Sequence, residues 1–108
     1  MPPKIYRFSY DVDKKIVVKE EFYIAEQNEL YVKCYHQHEG NGMLRHITVY
    51  MRDFDTFDNK DRMFMHTDDH EKFIRDYFKH MHSKQDELRK QIEDIDEVLS
   101  TINLTSAD

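Results

Sequence analysis

Apolar and polar residues alternate with period two through the first half of the chain, a pattern that predicts β-strands. Tyr6, Phe8 and Tyr10 point one way while Arg7 and Ser9 point the other. Ile16, Val18, Phe22 and Ile24 share a face opposite Val17, Lys19, Glu21 and Tyr23, and Glu20 is the one charge on that apolar side. Leu30, Val32 and Cys34 oppose Tyr31, Lys33 and Tyr35, and Ile47, Val49 and Met51 oppose His46, Thr48 and Tyr50. Turn residues separate these runs at Asp11-Val12-Asp13-Lys14, at Glu26-Gln27-Asn28-Glu29 and, most sharply, at His38-Glu39-Gly40-Asn41-Gly42, which holds both glycines of the chain. Four strands joined by short turns read as an antiparallel meander with one buried face. The aspartate-rich run from Asp53 to Asp61 reads as a loop, and Arg62–His66 as a short fifth strand.

The period then changes. Asp68, with Glu71 three residues on, has the form of a capping box, and no Gly or Pro interrupts the chain from there to Ile102. Apolar residues fall on two seven-residue ladders, Phe78, Gln85, Ile92, Leu99 and Ile74, Met81, Leu88, Ile95, Ile102, in which Gln85 alone is polar. Such a repeat is a coiled-coil seam, with the first ladder at position a and the second at d. Phe73 and Tyr77 broaden the stripe in the first half, which suits it to a sheet, whereas the second half narrows to the seam. The expected fold is therefore α+β: a four- to five-stranded antiparallel meander packed on a long C-terminal helix whose second half is a coiled coil. The expected organisation is one globular domain over 1–83, a dimerisation extension over 84–102 and a disordered tail over 103–108.

A helix from Asp68 to Ile102 spans about 52 Å at 1.5 Å per residue. A body of this size is only about 30 Å across. An unbroken helix thus projects its last turns into water, and leaving five aliphatic side chains there forgoes roughly 10 kcal/mol per chain. A partner helix relieves that cost, and a second copy of the chain is the simplest partner. Met81, Leu88, Ile92, Ile95, Leu99 and Ile102 are the expected dimerisation residues. Parallel pairing sets Lys84 against Arg89, which repels; antiparallel pairing sets Arg89 against Asp96 of the other copy, twice by symmetry. Antiparallel pairing is favoured. The competing expectation is a helix that breaks near Ser83-Lys84-Gln85-Asp86 and folds back on itself.

Charge bears on the partners. The chain has 108 residues, 22 acidic against 16 basic, and a net charge of −6, all of it arising after residue 47. That balance argues against nucleic acid, although the tyrosines of the strands offer stacking surfaces; the helical run of Lys72, Arg75, Lys79, Lys84, Arg89 and Lys90 reads as a solvated face. An acidic surface of Asp53, Asp55, Asp58, Asp61, Asp68 and Asp69 is a candidate partner-binding site, able to steer toward a basic protein groove. The single cysteine, Cys34, excludes an internal disulfide and fits a reducing compartment. No apolar run reaches the roughly 20 residues of a membrane span and no secretory leader is evident, so the expected location is cytoplasmic.

Candidate chemistry is thin. Seven histidines raise the question of metal. His36 and His38 share a strand face, and with His46 across the glycine turn they form the alternative reading, a metal-binding protein or small metal-dependent hydrolase. His80 and His82 diverge on a helix. The aspartate run lacks the glycine and glutamate of an EF-hand, because Asp58 and Phe64 stand in those places. Cys34 and His36 are same-face neighbours, yet a thiol among aliphatic residues behaves as a small hydrophobe. No catalytic residue and no cofactor is expected.

A small aromatic sheet leading into a C-terminal heptad helix resembles, in layout, short accessory proteins of phages and mobile elements. The resemblance covers the whole chain, rests on no motif and transfers no residue. It implies a non-enzymatic homodimeric protein, an accessory factor or inhibitor that binds a host or defence protein.

Overall fold

The computed structural model describes residues 3–36 and 45–105. It is α+β, as the periodicities predict: β1 (Lys4–Asp11), β2 (Ile16–Gln27), β3 (Tyr31–His36), β4 (His46–Tyr50), a 3-10 turn at Met51–Asp53, β5 (Met63–Met65) and α1 (His70–Thr105). The strands form one antiparallel sheet in the order β4-β3-β2-β1-β5. The fifth strand therefore pairs with the first, with Arg7 opposite Phe64.

Side-chain chemistry closes the turns. The Asp11 carboxylate accepts the backbone N–H groups of Asp13 and Lys14, and Lys15 takes a positive φ of 57° to enter β2. Asn28 closes the next turn by accepting from Leu30 and Tyr31 at 2.8 and 2.9 Å. The glycine turn lies outside the described residues. In β2 the pairing with β3 shifts between Ile24 and Glu26, a bulge at Ala25 that bends the strand. Just beyond β4, Phe54 forms a bridge to Phe64 of β5, so the sheet curls until its two edges are tied together.

Curling gives the sheet an enclosed face. Ile5, Phe22, Val32, Cys34, Val49 and Phe54 make the buried core there, with Ile24, Ile47, Met51 and Phe64 packed around them. The sequence predicts one buried face, but β1 is buried on both. Ile5 enters the enclosed core, whereas Phe8 on the other face stacks on Phe73 at 5.5 Å beside the buried Met63 and Met65. Leu30, expected to share a face with Val32, is exposed because it lies in the Asn28 turn.

The helix begins one residue later than its capping pattern predicts. Asp69, not Asp68, accepts the Lys72 N–H at 3.0 Å, and Asp68 instead meets Lys19 at 2.7 Å. The chain divides into two compact units between Phe73 and Ile74. The second is helical without interruption as far as Thr105, so the competing expectation of a break near Ser83–Asp86 is not met.

Candidate partner-binding site

In the helical unit the two seven-residue ladders lie along one side of α1, as 3.6 residues per turn requires. Leu88, Ile92, Ile95, Leu99 and Ile102 are each between 53% and 58% exposed. Met81 is half-buried within its own unit, where Phe78, Met81, Gln85 and Leu88 border a shallow depression of about 440 Å³. Phe78 rests on the His82 ring at 4.4 Å. Val98, on the flank of the seam, is 57% exposed and extends the apolar stripe beyond the two ladders.

The acidic residues of the sheet unit have local duties that their spacing did not announce. Asp55 and Asp61 hold positive φ angles of 60° and 59°, a conformation that aspartate tolerates better than most residues. The Asp58 carboxylate accepts the backbone N–H groups of Lys60 and Arg62 and the Arg62 guanidinium at 2.8 Å. Partial burial would raise its pKa, but these donors and the Arg62 charge outweigh that and hold it below the usual carboxylate value. Asp55 meets Lys72 at 3.3 Å, which ties the loop to the start of the helix. Asp68 meets Lys19, Asp69 caps the helix, and the exposed Asp53 carboxylate has no partner among the described residues. The loop does fold toward the helix start, and basic side chains pair with three of the six aspartates, Asp55, Asp58 and Asp68.

Sequence reasoning marked Glu20 as an anomaly without finding its partner. Arg7 stands directly opposite it in the register and clamps it with two hydrogen bonds, 2.8 and 2.7 Å. His36 Nε2 lies 3.2 Å from the same carboxylate, and the Arg7 guanidinium sits between the rings of Phe22 and Phe64 at 5.1 and 5.5 Å. Burial would push the Glu20 pKa up; the hydrogen bonds and charge of Arg7, with His36 and Arg62, pull it below the ordinary value. The strand register carries the signal for this pair: two opposite charges on one apolar face need each other.

Of the alternative metal set, the structure describes two members, and they lie on opposite faces of the sheet. His36 points to the enclosed face beside Phe22, whereas His46 packs edge-on against Tyr35 on the opposite face. His38 lies outside the described residues. Among the described residues no three His, Cys, Asp or Glu side chains are grouped to hold a metal ion. Burial pushes the Cys34 thiol up to about 11, against a weaker opposing effect of the Arg7 charge, so it is not a thiolate near neutral pH.

The opposite face of the sheet carries the tyrosines, with Arg52 over the Tyr50 ring at 5.3 Å. Tyr23, Tyr35 and His46 form a ladder across three strands with ring spacings of 5.8 and 5.6 Å. Each lysine on that face meets a carboxylate: Lys4 with Glu21, Lys19 with Asp68, Lys33 with Glu26.

No family model, curated protein or solved structure matches this chain. Among the described residues no helix is long and apolar enough to cross a membrane.

Proposed function

We propose that the chain is a non-enzymatic protein-binding module that works as a homodimer, joined through α1 and carrying two copies of the sheet unit. The observation that carries this reading is the half-exposed aliphatic seam at Leu88, Ile92, Ile95, Leu99 and Ile102. Finishing the burial of five such side chains stabilises by roughly 5 kcal/mol per chain, half the value for wholly exposed residues.

Charge favours antiparallel pairing with a single register. Setting Ile92 against Ile95 of the second copy also sets Leu88 against Leu99 and Gln85 against Ile102. The flanking positions then oppose Arg89 to Asp96 on both sides and Gln91 to the apolar Val98. In this pairing a side chain of the facing helix would enter the depression beside Gln85 and Leu88. Such a dimer carries two copies of the sheet unit, which suits a bivalent binder of a host or defence protein.

Solution mass by light scattering, for the full chain and for a version ending at Ser83, tests the reading. A dimer that becomes monomeric on truncation supports it. A full-length monomer at micromolar concentration overturns it.

A further inference from the structure

Among the described residues the edge of β4 short of the Phe54 tie is open, and a cleft lies beside it. β5 is covered: beyond its pairing with β1, its neighbourhood is closed by the Asp55 N–H on the Phe64 carbonyl and the Asp58 N–H on the Arg62 carbonyl, 2.9 and 2.8 Å. β4 is different. The Met51 N–H donates to the Leu30 carbonyl at 2.9 Å, which fixes the phase of the β3–β4 ladder. Tyr31 and Tyr50 are then a non-hydrogen-bonded pair, Val32 and Val49 exchange both bonds, and Lys33 with Thr48 is again non-bonded. The N–H and C=O of Thr48 consequently point away from β3, as do those of Tyr50. Among the described residues neither finds a backbone partner on that side.

An edge of this kind is normally blunted by lysine, glutamate, proline or a bulge. His46-Ile47-Thr48-Val49-Tyr50 carries no carboxylate, lysine or proline, and its pairing with β3 is regular. It is rich in the β-branched residues that suit strand pairing. Thr48 and Val49 also form one wall of a cleft of about 190 Å³, whose other walls include Asp53, Phe57, Asp58 and Phe64. Asp58 is committed to Arg62, but the Asp53 carboxylate has no partner among the described residues. The cleft thus offers aromatic walls for an alkyl chain and one uncompensated negative charge at its rim.

We infer that the open edge of β4 and this cleft form a docking groove for an extended segment of another protein, which adds a strand beside Thr48 and places a lysine side chain in the cleft against Asp53. Main-chain pairing supplies the affinity of such a site and the side-chain pocket supplies its selectivity. The inference rests on the protein-binding reading above but not on helix pairing, so light scattering and peptide titration fail independently.

The test uses the full chain and a short fluorescein-labelled peptide of alternating threonine and valine with one central lysine, followed by polarisation and by amide hydrogen exchange. Saturable binding is expected, with slowed exchange at the Thr48 and Tyr50 amides. Thr48→Pro removes an N–H that the β3 ladder does not use and should abolish binding while leaving the thermal melt nearly unchanged. Asp53→Asn, or glutamate for the peptide's lysine, should weaken binding by up to about fivefold. Wild-type exchange is decisive independently of that variant: no binding at millimolar peptide, or binding without protection at Thr48, overturns the proposal. Protection at Thr48 that grows with protein concentration in the absence of peptide also overturns it, in favour of edge pairing between two copies.

Discussion

Arg7 and Glu20 face each other across β1 and β2 and share two hydrogen bonds of 2.8 and 2.7 Å on the face that also carries the apolar core. Both side chains are mostly withdrawn from water, at 15% and 29% exposure. A partly buried pair of this geometry costs little while intact and a good deal when halved, because the survivor keeps its desolvation penalty.

Acid sensitivity follows from that pair. The Glu20 pKa is lowered in the folded chain, so its contribution to stability is fully present above the unfolded carboxylate value of about 4.3 and is lost as pH falls through the lower folded value. Glu20→Gln should destabilise by about 1–3 kcal/mol at pH 7. The gap between the variant and the wild type should close as pH drops below that window. Urea melts at pH 7, 5 and 3 read this out, and a gap that stays constant with pH would show that the charge of Glu20 contributes nothing.

The two aspartates at the start of α1 should separate cleanly. Asp69→Ala removes the carboxylate that accepts the Lys72 N–H and should cost about 1 kcal/mol. Asp68→Ala loses only an exposed contact with Lys19, and an effect within about 0.5 kcal/mol is expected. Denaturation followed by circular dichroism distinguishes them. Equal losses would mean that the helix start is shared between the two residues.

Cys34 should be silent toward thiol reagents. Its side chain is buried in the enclosed core and its pKa stands at about 11, so at pH 7.5 both access and thiolate fraction are against reaction. Labelling with an aromatic disulfide should proceed no faster than global unfolding and should become rapid in denaturant. Fast stoichiometric labelling of the native chain would place the thiol at the surface and reopen a nucleophilic reading.

These cases show where the sequence was legible. Period-two alternation locates four strands, the short apolar run Met63-Phe64-Met65 marks the fifth, and the switch to a seven-residue period locates the helix, because all are properties of consecutive residues. The bulge at Ala25, the tie of Phe54 to Phe64 and the stacking of Phe8 on Phe73 depend on which distant segments meet, and alternation is blind to that. Glu20 lies between these extremes: it could be recognised as misplaced, but its partner became visible only with the β1–β2 register. The aspartates of 53–69 misled in the opposite sense. They form a run of charge on paper, yet backbone turns, a helix cap and three basic side chains absorb most of it.

The direction of helix pairing makes the last prediction. In an antiparallel dimer centred between Ile92 and Ile95, Arg89 of one copy opposes Asp96 of the other at two equivalent sites. Arg89→Glu then creates two acidic pairs and Asp96→Lys two basic ones. Each single change should weaken the dimer by up to about fivefold per site at low salt, and the double variant should restore it. Parallel pairing predicts otherwise, since Lys84 approaches Arg89 there and Arg89→Glu would strengthen the dimer. Sedimentation equilibrium at low and high salt separates the two. Loss in both single variants, recovery in the double and convergence of all three in concentrated salt are the expected signature, and a tighter Arg89→Glu dimer would reverse the orientation argued from the charges.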